Sequence, residues 1–139
     1  MPMNPRMAST LLRISQITCL LFILCVFLGG GIAHFWYLDL FTRVVPSYIP
    51  FPRAVVIVTG LCELAAVCGL LYAPLRQMTG WVLALYLLCI LPVHIDMLIH
   101  ADRWPDLGMT FLWARPFLQP VLMAVAILAT TPIALKEQS

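Results

Sequence analysis

Glu63, Arg115 and Gln119 are acidic, basic and amide side chains set in otherwise apolar stretches, and His34, His94 and His100 stand near the ends of such stretches. A carboxyl group or an imidazole can exchange protons, and a guanidinium can polarise a carbonyl oxygen. A primary amide both donates and accepts hydrogen bonds. The run His94-Ile95-Asp96-Met97-Leu98-Ile99-His100 also raises metal chemistry, because His and Met suit copper and haem iron. Helix geometry disfavours it. Residues 94 and 97 are neighbours on a helix, but residues 94 and 100 are about 120° from sharing a face, so one ion cannot take both histidines. Three dispersed histidines have no ligand spacing, so no metal site, haem or copper is expected. Asp96 and His100, four apart, can instead pair with each other, while His94 aligns with Leu87, Leu91 and Leu98.

The elements that carry these residues follow from composition. Apolar residues make up 63% of the chain and charged ones 10%, against about 45 to 50% and about 25% in soluble domains. A surface built from such a chain cannot be wetted, and the expected setting is a lipid bilayer. Spanning a hydrocarbon core takes roughly 20 apolar residues per helix, so 139 residues hold four spans and short connectors. We read one all-α transmembrane domain over residues 1–139, a four-helix bundle with spans over 11–33, 54–72, 78–99 and 111–133. An interfacial loop, residues 34–53, rich in Trp, Tyr and Pro, follows the first helix. A small, scattered net charge of +2 excludes a nucleic-acid surface.

The first apolar run is longer than a signal-peptide core and lacks an A-x-A site, so it is expected to be retained. Gly29 and Ala33, four apart, offer a small-residue face to a neighbouring helix. Trp81 and Tyr86 are read as markers of the third helix's entry side. The five cysteines, Cys19, Cys25, Cys62, Cys68 and Cys89, form no C-x-x-C pair and are read as packing residues. Lys/Arg counts tie between the two sides, and the basic flank of the first helix places both termini in the cytoplasm.

Depth and facing select the candidate site. Glu63 lies ten residues beyond Arg53, about 15 Å into the membrane. A buried acidic group there costs roughly 2.5 to 3.5 kcal/mol unless it faces the bundle and finds a partner. Thr59, Cys62, Glu63, Ala66 and Gly69 share one side of the second helix and are expected to pack inward, while Ile57, Leu61, Leu64, Val67 and Leu71 on the opposite side meet lipid. In the fourth, Arg115, Gln119, Leu122, Ala126 and Thr130 line the side expected inward and Phe117, Val121, Val125 and Leu128 the other. By depth, Gln119 should reach Glu63 more readily than Arg115 does. Arg115 has the option of snorkelling to the interface, and Glu63 that of only fixing helix packing. Together His34, Glu63, His94, Arg115 and Gln119 are the candidate ligand-binding residues of a cavity in the outer half of the bundle, with apolar walls suited to a hydrophobic ligand.

Several stretches carry a family likeness: Gly31-Ile32-Ala33-His34-Phe35, Val45-Pro46 through Ile49-Pro50 and Pro52, and Thr59-Gly60 with Glu63. Pro92 to Met97, and Leu112-Trp113-Ala114-Arg115 with Gln119, continue it. Over roughly residues 10–130 the chain resembles the DoxX-like family of small four-helix membrane proteins. The resemblance implies a multi-pass protein of the bacterial inner membrane and supports His34, Glu63, Arg115 and Gln119 as motif positions. His94 departs from the pattern, where asparagine is usual. Relatives are linked to quinone-coupled sulfur oxidation, to thiol redox systems or to assembly of partner membrane proteins, and this chain lacks the paired cysteines of the thiol-linked branch.

Two functions remain in view. One is a binding or accessory protein, not an enzyme, whose cavity holds a small hydrophobic molecule, a lipid or a partner membrane protein, with no cofactor. The other is an oxidoreductase subunit in which the cavity holds a quinone, Glu63 or His34 exchanges its protons and Arg115 polarises its oxygen. Transport is disfavoured, because inverted repeats are absent and Pro92 is the sole sign of a broken helix.

Overall fold

The computed structural model describes residues 4–105 and 107–132. Ile133, the last residue of the expected fourth span, and Lys136, which enters the Lys/Arg count, lie outside them. Its elements are α1 (Pro5–Trp36), α2 (Leu38–Val44), α3 (Pro52–Leu71), α4 (Ala73–Ile99), a 3-10 turn (Ala101–Arg103) and α5 (Met109–Thr130). Four of the helices, α1, α3, α4 and α5, are long and apolar enough to cross a membrane. The chain is a multi-pass membrane protein of all-α architecture, as its composition requires.

Helix ends follow local chemistry more than hydropathy. At α1 the Asn4 side chain accepts from the Arg6 backbone N–H at 3.0 Å and Pro5 opens the helix, an arrangement that satisfies orphan donors. The helix therefore starts before the apolar run at residue 11. Pro74 does not simply end the second span. It sits in the first turn of α4, where proline is tolerated, and Arg76 Nε donates to the Leu70 carbonyl at 2.8 Å, closing the end of α3. The turn between spans shrinks to Tyr72. The connector read as an interfacial loop contains α2, tied to α3 by an exposed Asp39–Arg53 pair at 2.8 Å. Pro92 leaves α4 continuous, and Pro116 and Pro120 lie within α5.

The four spans form a ring in chain order: α1 packs on α3, α3 on α4, α4 on α5, and α5 closes on α1. α3 and α5 are thus diagonal. Gln16 Nε2 donates to the Thr131 carbonyl at 2.6 Å, joining α1 to the end of α5 at what we term the terminal end. α2 covers the opposite end, against α1 and α3. Ile23, Phe27, Leu70, Leu83, Leu87, Leu122 and Ala126 form the main apolar core. A second, smaller cluster of Val44, Met97 and Leu112 closes the α2 end.

The close approach of α1 to α3 uses different small residues from those anticipated. A Cβ on Gly31 would lie 2.8 Å from Leu64, and one on Gly60 would lie 2.7 Å from the His34 Cβ. Gly29 meets nothing within 4 Å. The inner face of α3 is consequently Val56, Gly60, Glu63, Val67 and Leu70, turned by roughly 80° from the anticipated side. Cys62 is exposed, while Leu64 and Val67, anticipated to meet lipid, are half-buried. Cys25, Cys68 and Cys89 are also exposed and Cys19 is half-buried, so four of the five cysteines sit on the outer surface rather than packing inside. On α5, Gln119, Leu122, Ala126 and Thr130 are buried and Phe117, Val121 and Leu128 exposed, as expected, but Val125, placed with the outer side, is half-buried and packs against the main core.

Candidate functional site

In the half of the bundle nearer α2, above the main apolar core, the helices enclose a cavity of about 310 Å³. His34, Glu63, His94, Arg115 and Gln119 all line it, one or two from each spanning helix. Their periodicity explains the convergence. Gly30 and His34 continue the inward face of α1 begun by Ile23 and Phe27, and Gln119 and Arg115 sit one and two turns before the buried Leu122 on α5. Apolar side chains, mostly valines such as Val26, Val55 and Val93 together with Ile90, form the walls.

Glu63 is only 7% exposed. Its Oε1 accepts from the Tyr86 hydroxyl at 2.8 Å, and its Oε2 lies 3.7 Å from His34 Nδ1. Gly30 makes room for this carboxylate, since a Cβ there would stand 2.5 Å from Oε2. His34 Nδ1 donates to the Gly30 carbonyl at 2.8 Å, which leaves Nε2 as the acceptor nitrogen. The His34 ring stacks on Phe41 of α2 at 4.6 Å between centroids.

Across the cavity, Gln119 Nε2 donates to His94 Nδ1 at 2.7 Å. The Gln119 residue is 3% exposed, and its Oε1 has no hydrogen-bond partner among the described residues. Buried polar atoms almost always have one. Arg115 is half-buried, lies over the Phe111 ring at 4.7 Å, and donates to the Met97 sulfur at 3.4 Å. Among the described residues no carboxylate lies within ion-pair distance of it.

The anticipated Gln119–Glu63 bond does not form. Depth places the two residues close, but α3 and α5 are diagonal, so the cavity separates them. Each finds its partner on α4, the helix adjacent to both. That partner for Glu63 is Tyr86, which sequence reading had assigned to the membrane entry side. Tyr86, Ile90 and His94 recur every four residues and line the cavity together. That spacing was the available signal. Phe41 is a further lining residue missed, and Thr59, placed on the Glu63 side of its helix but not among the candidate site residues, also lines the cavity and turns its hydroxyl to the Val55 and Val56 carbonyls.

Asp96 and His100 do pair, at 3.3 Å, away from the cavity. No group of three or more His, Cys, Asp or Glu side chains able to hold a metal ion occurs among the described residues.

A family model described as Domain of unknown function (DUF8561) matches residues 23–130. The match takes in every cavity-lining residue from Val26 to Leu122. No curated protein and no solved structure matches the chain.

Proposed function

We propose that this chain, which belongs to the DUF8561 family of unknown function, is a membrane-embedded binding protein that holds a small hydrophobic molecule by its polar group. One observation carries the reading. Seven polar side chains from four helices open on a single apolar-walled cavity, and the buried amide of Gln119 is left with an unpartnered end. An apolar enclosure with a few convergent polar groups is the usual form of a small-molecule site. Its volume lies at the small end of the roughly 300 to 1,000 Å³ of such sites. The Gln119 amide suits either kind of ligand atom. As it stands, Oε1 accepts from a ligand donor. Turned about its terminal bond, it accepts from His94 Nδ1–H instead, and Nε2 donates to a ligand acceptor.

A quinone is the redox-active occupant this arrangement favours. Glu63, with Tyr86 and His34 beside it, supplies exchangeable protons at one wall, and Arg115 faces the cavity from α5. The DoxX-like resemblance, with its quinone-linked relatives, adds support. The same resemblance and the basic flank of α1 favour a bacterial inner membrane with both termini in the cytoplasm, so that the cavity lies in the outer half.

The test is native mass spectrometry of the chain released from lipid nanodiscs, paired with an ultraviolet–visible spectrum. A bound molecule is expected, with a reducible absorbance band if it is a quinone. Gln119→Leu removes a buried hydrogen bond worth about 1 kcal/mol and should weaken retention about fivefold. A bound molecule retained equally by the parent, Gln119→Leu and Glu63→Gln, or no bound molecule in any of them, would overturn the proposal.

A further inference from the structure

The cavity is only partly enclosed by protein. Of the side chains lining it, Leu118 stands out as exposed, at 48%; the others are buried or half-buried. Its position on α5 says where the opening is. Thr130 lies against Gly80, and Leu112 clusters with Met97, so their flank of α5 meets α4. Leu118 and Val125, seven residues apart, share the opposite flank, which meets α1. Toward the terminal end Val125 packs against the core containing Ile23 of α1, and the seam is closed. One heptad nearer α2 the same seam presents an exposed Leu118. There α1 is drawn onto α3 by the contacts of Gly31 and Gly60.

Arg115 and Gln119 line the same cavity, one turn apart on one helix face, with the guanidinium resting on Met97 and Phe111. A guanidinium is the natural partner of a planar carboxylate, which it can bind through two parallel hydrogen bonds. With the Gln119 amide turned so that Oε1 accepts from His94, its Nε2 donates to the same ligand and no buried polar atom is orphaned. A single guanidinium neutralises one negative charge, which fits a carboxylate better than a phosphomonoester dianion.

The geometry points to a fatty-acid-like ligand: a single-chain amphiphile that enters sideways between α1 and α5 past Leu118 and sets its carboxylate against Arg115 and Gln119. Its chain lies along the valine and isoleucine wall, and the length that the cavity does not hold remains in the bilayer. This rests on the cavity being a binding site, as proposed above, and adds the ligand class and its route.

The experiment uses the full chain in nanodiscs with the photoreactive benzoylphenylalanine placed at position 118 or, as a lipid-facing control, at the exposed position 128. The probe is palmitic acid carrying an alkyne tag. Labelling at 118 should saturate with probe and be displaced by oleate but not by oleyl alcohol. Labelling at 128 should rise in proportion to probe. Arg115→Met should raise the half-saturating concentration about tenfold to a hundredfold, the loss expected for a hydrogen bond to a charged group. Non-saturable labelling at 118, or equal displacement by the alcohol, overturns the inference. If a Gln119-dependent adduct persists in that case, the binding site stands and only the lateral carboxylate ligand falls. If no adduct is found, both fall.

Discussion

Gly30→Ala tests whether the site is built as described. The three heavy atoms nearest a Cβ at this position all belong to Glu63, the closest being Oε2 at 2.5 Å. Restoring ordinary van der Waals contact at 3.4 Å requires about 0.9 Å of movement. Oε1 of the same carboxylate is held by Tyr86 at 2.8 Å, and hydrogen bonds weaken beyond about 3.2 Å. Two responses are open. If the carboxylate swings away, a bond to a charged group worth about 1.5 to 3 kcal/mol is lost. If α1 is pushed from α3, the overpacking costs about 1 to 3 kcal/mol. Against either stands a gain of up to about 1 kcal/mol from replacing glycine by alanine in a helix. The net expectation is a loss of about 1 to 2 kcal/mol. In a Glu63→Ala background the obstacle is gone, and Gly30→Ala should become neutral or stabilising. The double-mutant cycle, measured by reversible unfolding in mixed micelles, should therefore show a coupling of at least about 1 kcal/mol, above the roughly 0.5 kcal/mol of independent sites. Equal destabilisation in both backgrounds would refute the placement of Glu63 against α1.

Gly80→Ala meets Thr130, whose Cβ would stand 2.8 Å from the new atom; thermal unfolding in detergent should show a loss of about 1 to 3 kcal/mol as α4 and α5 are forced apart. Replacing the exposed Cys25, Cys62, Cys68 and Cys89 together by alanine should leave the unfolding temperature within a few degrees, because substitutions away from packed features usually change stability by less than about 0.5 kcal/mol each. A collapse of the fold would show that these positions pack against something in the membrane. Arg53→Ala breaks an ion pair whose side chains are 63% and 80% exposed and should cost no more than about 1 kcal/mol, a difference that shrinks further when the unfolding is repeated in high salt.

The inward stripe of α5 was legible because its polar residues, Arg115 and Gln119, continue in register with Leu122, Ala126 and Thr130. That of α3 was misread because its contact with α1 is made by Gly60, whose lack of a side chain registers as neither polar nor apolar. Tyr86 was misassigned for a related reason: tyrosine suits both a membrane interface and a buried hydrogen bond, and only the facing helix decides between them.

By itself, the sequence determined that four helices cross a bilayer and that Glu63 and Gln119 turn inward, since hydrocarbon penalises every unpaired polar group and leaves few alternatives. Only the tertiary structure decided which groups meet. The order of helices around the ring makes α3 and α5 diagonal, so Glu63 and Gln119 face each other across a cavity and each bonds to α4. Depth in a membrane is a property of one helix and can be counted along the chain. Adjacency is a property of the whole bundle.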